Sequence, residues 1–260
     1  MPRSSANRTD RALNKDAFVL DATAASSFRR RLHRWYRANA RDLPWRRTRD
    51  PYRILISELM LQQTQVVRVL DFYSRFLDRF PDLPSLAKAQ PKRVMEAWSG
   101  LGYYARARNL HALAKEVTRE QAGVIPDHPE ALRALPGIGA YTAGAVASFA
   151  YEKRAALVDT NVARVLQRYF APHLPLKSSA GLKRLWDIAN QLLPRTGAQT
   201  WTHNQALMEL GALVCSARAP QCSVCPVQRG CASVEHFEMT RALKGADKEK
   251  RRTPKRPSSP

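Results

Sequence analysis

The feature that most constrains this chain is the placement of its cysteines. There are four in 260 residues, Cys215, Cys222, Cys225 and Cys231, and all fall within 17 positions. Met1 to Asp10 is polar and lacks the apolar core of an export signal, so a disulfide framework is disfavoured and clustered thiols read as metal ligands. The spacing C-x6-C-x2-C-x5-C has one close knuckle and two distant ligands. A zinc ribbon usually has two close knuckles, so this pattern suits a single loop wrapped round an iron–sulfur cube. Any fold for this chain must therefore bring the ends of a short C-terminal loop together.

Charge narrows the partner. Lys plus Arg number 43 against 22 Asp plus Glu, a net charge of +21. Residues 1–20 contribute only +2 and residues 238–260 only +5, which leaves +14 on the body of the chain. An excess of that size points to a polyanion, most simply nucleic acid. Arg218 and Arg229 lie within the thiol loop, where they can meet phosphates. The longest clean apolar stretch, Ala143 to Tyr151, is half of the roughly 18 residues a membrane span needs. No membrane association is expected, and the expected location is cytoplasmic, with the nucleoid.

Apolar residues recur at helical spacing, as in Phe28, Leu32 and Tyr36 of a basic segment from Ala25 to Ala38. Pro51 opens a second helix expected to run from about Tyr52 to Leu70. Pro81–Leu86 reads as turn-rich, and helices are expected over Pro91–Ser99, Ala105–Glu120, Thr142–Tyr151, Asn161–Phe170, Ser179–Leu193 and Asn204–Val214. No period-2 strand is evident, so the fold class is all-α. Residues 1–24 and 238–260 are expected to be disordered tails.

Four further patterns can carry chemistry. In Leu135-Pro136-Gly137-Ile138-Gly139, two glycines permit a tight turn before a helix starting near Tyr141. The unpaired amides of that helix would favour a phosphate, or the turn is a plain connector. Glu58 is the only charge in the 14 residues Ile54–Val67. Apolar surroundings raise a carboxyl pKa toward what a general acid needs. Gln62 and Gln63 supply a polar strip beside it that either faces solvent or lines a cleft. Asp159 precedes a helix beginning at Asn161, where it suits an N-cap and can also face a developing cation. In Gly100-Leu101-Gly102-Tyr103-Tyr104-Ala105-Arg106, aromatics beside a glycine turn suit either base stacking near phosphate contacts or two core tyrosines.

Taken together, LPWRRTRDPYRILISELMLQQTQV, WSGLGYYARARNLH, LPGIGAYTAGAVASFAY, VDTNVARVL, NQALMELGALVC and the four-cysteine loop resemble the helix-hairpin-helix DNA glycosylases of the endonuclease III superfamily, and among them the adenine-mismatch (MutY-type) family. The resemblance covers roughly residues 28–233. It implies two helical lobes with double-stranded mismatched DNA in the cleft between them. One lobe is a six-helix barrel with the helix-hairpin-helix, about 46–155; the other joins 25–45 to 156–237 and holds a [4Fe–4S] cluster on Cys215, Cys222, Cys225 and Cys231. Glu58 then resembles the acid that protonates the departing purine, Asp159 the carboxylate that stabilises the oxocarbenium-like sugar, and Asn161 its support. Gln63 and Tyr103 match wedging residues, and Gln62, Arg106, Gly137 and Gly139 complete the expected DNA-contacting set. Tyr141 stands where strand-cleaving relatives carry a lysine, and a phenol cannot form a Schiff base. Val66 and Gln205 match the adenine type against the thymine–guanine type.

The implied activity is hydrolytic removal of extruded adenine from pairs with guanine or 8-oxoguanine by a monomeric enzyme. Thymine or uracil excision opposite guanine, or weak lyase activity, is the alternative. The usual C-terminal domain that recognises 8-oxoguanine is expected to be lacking, and the common glycine between Asp159 and Asn161 is here Thr160.

Overall fold

The computed structural model describes residues 19–239; the two expected tails lie mostly outside them. Among the described residues the structure is helical and without strands. In chain order the helices are α1 (Ala22–Asn39), α2 (Pro51–Leu61), α3 (Val66–Arg79), α4 (Leu83–Lys88), α5 (Pro91–Trp98), α6 (Ala105–Glu120), α7 (Pro129–Arg133), α8 (Ala140–Tyr151), α9 (Thr160–Phe170), α10 (Ser179–Gln191) and α11 (Gly197–Leu213). None of the described helices is long and apolar enough to cross a membrane.

The starts are written in the sequence. Asp50 accepts from the amides of Tyr52 and Arg53 with Pro51 at the first helical position, and Asp21, Ser178 and Thr196 cap α1, α10 and α11 in the same way. Two helices packed on each other, α2 and α8, are buried almost all round. Helices of that character belong at the centre of a fold. α3 to α7 pack around them, while α1, α9 and α10 gather with α11 into a second group that meets the first where α11 touches α8. Gly144 makes the crossing from α8 to the second group possible, because a Cβ there would collide with the backbone oxygen of Ala156.

Three expectations need correction. The helix expected over Tyr52–Leu70 is two helices, broken at Gln62–Gln65, with Gln63 at φ 57°. The cause is Arg106, whose guanidinium donates to the carbonyls of Leu59, Met60 and Gln62 at 2.6–2.9 Å. A continuing helix would have given those acceptors to the amides four residues on. The turn-rich Pro81–Leu86 holds the start of α4, closed by a reciprocal capping box between Asp82 and Ser85. α11 starts seven residues before Asn204, at Gly197.

Candidate active site and thiol loop

Between the two helical groups lies a cleft of about 980 Å³, lined by Glu58, Tyr141, Asp159, Asn161, Gln205 and neighbouring residues. Glu58 reaches it from α2, near the middle of the core, and is 3% exposed. Burial raises its pKa from the ordinary 4.5 to about 7; a hydrogen bond from Tyr141 opposes the rise, the charge of Asp159 adds to it, and Arg46 opposes it again. The Tyr141 hydroxyl donates to Glu58 Oε2 at 2.6 Å. Tyr141 itself is held well above its usual pKa by burial and by both carboxylates, so it stays a neutral donor.

Asp159 caps α9, accepting from the Val162 amide at 2.7 Å, and its other oxygen accepts from Asn161 Nδ2 at 3.0 Å. Burial pushes its pKa upward, and these hydrogen bonds hold it back. Asn161 is fixed in turn, because its side-chain oxygen accepts from Arg164 at 2.8 Å. The same guanidinium also donates to the backbone oxygens of Gly211 and Cys215, both at 2.7 Å. Cap and cleft carboxylate are thus one residue.

Gln62, Gln63, Val66 and Gly139 join the same cleft; Gln62 donates to Thr142 at 3.3 Å. Gln205 is buried and accepts from Arg46 at 2.8 Å. In the hairpin only Gly137 adopts positive φ (76°), where a Cβ would sit 2.6 Å from Asn109. Gly139 is extended and is the N-cap of α8, with no side-chain cap bond. Tyr103 is 59% exposed with φ 46° and does not line the cleft.

Arg106 is a correction. Six hydrogen bonds from its two terminal nitrogens, to Leu59, Met60, Gln62, Thr64, Leu101 and Gly102, hold its guanidinium inside the fold. It shapes the α2–α3 turn and the Gly100–Gly102 loop and is not free to meet a phosphate.

Sequence reasoning missed Arg41, Arg46 and Glu209. Glu209 is fully buried, yet its carboxylate receives Arg41 at 2.7 Å and Arg46 at 2.8 Å. Burial alone would raise its pKa; the two guanidinium partners outweigh that and bring it to about 2. The available signal was the four-residue step from Gln205 to Glu209, which puts both on one face of α11.

The four cysteines form no disulfide with one another and are partly exposed, and they line one small apolar cavity with Val214, Val234 and Phe237. Arg168 donates to Cys215 Sγ at 3.3 Å and stacks over Phe237. Among the described residues no group of three or more His, Cys, Asp or Glu side chains is arranged to hold a metal ion.

A helix-hairpin-helix beside a cleft with two carboxylates defines the class: an all-α, two-lobed fold of the glycosylase type. Residues 56–188 match the HhH-GPD superfamily base excision DNA repair protein family, and the chain belongs to that family. It is 44% identical over 220 residues to the adenine DNA glycosylase of Rattus norvegicus, covering 81% of this chain and 42% of that protein. It is 46% identical over 194 residues to the adenine DNA glycosylase of Mycolicibacterium smegmatis, covering 74% and 65%. A solved thermostable thymine-DNA glycosylase superposes with a TM-score of 0.76 at 33% identity, covering 83% of this chain and all of that one. The chain spans less than half the length of the rat relative it matches.

Proposed function

We propose that this chain is a monofunctional DNA glycosylase that extrudes adenine from pairs with guanine or 8-oxoguanine and releases it by hydrolysis. The observation that carries the reading is a buried glutamic acid poised near neutral pH in the same cleft as Asp159, with a phenol beside it instead of an amine. A target base must leave the stack to reach such a cleft. Glu58 gives its proton to a purine nitrogen as the C1′–N bond breaks, and the bonding pair leaves with the base. Asp159, held by Val162 and Asn161, offers negative charge to the cationic sugar. Water then adds to C1′ and its proton returns to the ionised Glu58, which restores the acid. Tyr141 cannot form an imine, so the strand stays intact at an abasic site.

The hairpin at Gly137–Gly139, together with Gln62, Gln63, Val66, Tyr103 and Gln205, forms the proposed DNA face of a monomer acting in the cytoplasm at the nucleoid. Residues 46–155 are the proposed barrel lobe, with 25–45 and 156–237 as the other. Cys215, Cys222, Cys225 and Cys231 would hold a [4Fe–4S] cluster. Four thiols round one apolar cavity, with Arg168 donating to Cys215 to offset their negative charge, suit that group. When bound, the cluster supplies a rigid clasp for the loop. A brown protein with four irons is expected; a colourless protein with stoichiometric zinc would refute the assignment.

Single-turnover release from duplexes carrying A opposite G or 8-oxoguanine, T opposite G and U opposite G tests the activity. Fastest release of A without strand scission is expected. Preferential loss of T, which the thymine-DNA glycosylase likeness favours, would move the substrate to the alternative. Borohydride trapping on DNA would establish a lyase.

A further inference from the structure

One wall of the cleft plays no part in this chemistry. Leu176 and Leu182 line it yet remain 39% and 46% exposed. Aliphatic side chains left in water along the wall of a cleft forgo transfer energy that a partner can recover. They do not sit on a loose loop. The Ser178 amide donates to the Pro175 carbonyl at 3.2 Å, and the Ser178 hydroxyl donates to the same carbonyl at 3.0 Å while accepting from the Gly181 amide at 3.0 Å. Gly181 admits no side chain, since a Cβ would collide with that carbonyl oxygen. The α9–α10 connector is thereby clasped to the first turn of α10, and the two leucines are held as one lip. Lys177 and Lys183 follow them directly in sequence and are exposed.

Apolar faces alternating with cations complement a nucleic acid strand, which offers sugar and base faces between phosphates. Asp159, which caps α9, and Ala163 within that helix line the same cleft, so a strand that delivers a sugar to Asp159 adjoins the lip. We infer that Leu176 and Leu182 seat the nucleotide next to the extruded one on the same strand, while Lys177 and Lys183 meet its flanking phosphates. This rests on the glycosylase reading and extends it from the reacting nucleotide to its neighbour. The leucines are positioning residues: they act on how the strand sits, not on the bond that breaks.

The test compares the full chain with a Leu176→Ser/Leu182→Ser double variant and a Leu176→Met/Leu182→Met control. Fluorescence anisotropy measures affinity for an A·G mismatched duplex and for its fully paired counterpart. The serine variant should bind the mismatched duplex about tenfold more weakly and the paired duplex within about twofold, because only the mismatched one presents a displaced neighbour. The methionine control should match the original chain. Unchanged mismatch affinity overturns the inference, and so does an equal loss on both duplexes, which would mark a general DNA surface. Loss of self-association in sedimentation with DNA affinity intact would also overturn it and assign the lip to a second copy. Failure of the unaltered chain to release any base refutes the glycosylase reading instead, and anisotropy still reports on the lip.

Discussion

Replacing Glu58 by Gln separates what this residue costs the fold from what it gives the reaction. The side chain is buried, and its carboxyl is raised from 4.5 to about 7. Between those two pH values the unfolded chain has released its proton and the folded chain has kept it. The folded state therefore binds more protons, and stability falls as pH rises through this window. At about 1.4 kcal/mol per pH unit, the loss reaches roughly 3 kcal/mol above pH 7 and is absent below pH 4. Glu58→Gln removes the ionisation and keeps the shape. Urea unfolding should find the variant's advantage growing by about 3 kcal/mol from pH 4 to pH 8. Base release in single turnover should fall by about 10²–10⁴, the usual contribution of a general acid. In the unaltered chain that rate should decline above about pH 7, as the acid ionises. A variant whose stability advantage is the same at pH 4 and pH 8 would refute the raised acid. A near-normal release rate would refute its role.

Asp159→Asn distinguishes the two duties of that residue. Asn caps helices about as well as Asp, so unfolding free energy should stay within about 1 kcal/mol, while single-turnover release falls about 10²–10³-fold; unchanged release leaves only the cap. Arg106→Ala should cost about 3 kcal/mol or more in denaturant unfolding, because it strands several buried carbonyls; a stable variant with weakened DNA binding would instead restore the phosphate-contact expectation. Glu209→Gln breaks a buried pair and should destabilise by about 3 kcal/mol near neutral pH. Because the Glu209 pKa is lowered to about 2, that penalty should shrink as pH falls from 4.5 toward 2, and a pH-independent penalty would refute the ion-pair account.

What was legible in the sequence was local. Pro51 after Asp50 fixes the start of α2, and the apolar run around Glu58 already implies a perturbed carboxyl. The lone glutamate, the hairpin glycines and the capping aspartate each carry their own reason in their neighbours. The α2–α3 break is different, because it depends on Arg106 arriving from α6, 44 residues beyond the Gln62 carbonyl it binds. No periodicity in residues 52–70 encodes a donor that comes from elsewhere. Arg41 and Glu209 lie 168 positions apart, so their pairing was hidden for the same reason. Arg106 itself was misassigned because an arginine beside exposed aromatics has one sequence appearance whether it faces phosphate or carbonyls.

The two glutamates of the cleft explain why both kinds of interaction are needed. Glu58 and Glu209 are the same residue type, and both are buried. Yet one is brought to about 7 and the other to about 2. The difference is the partner: a neutral phenol donates to Glu58, whereas two guanidinium groups grip Glu209. Arg46 is closest to being shared, for it hydrogen-bonds Glu209 and Gln205 while its charge only mildly favours ionised Glu58. Glu209 thus commits Arg46 to itself and keeps a full ion pair away from the acid. Had the guanidinium paired with Glu58 instead, the carboxyl would have been ionised at neutral pH and useless as a donor. A proton donor at the centre of an arginine-rich chain survives because a second carboxylate engages Arg46, the guanidinium whose charge reaches it.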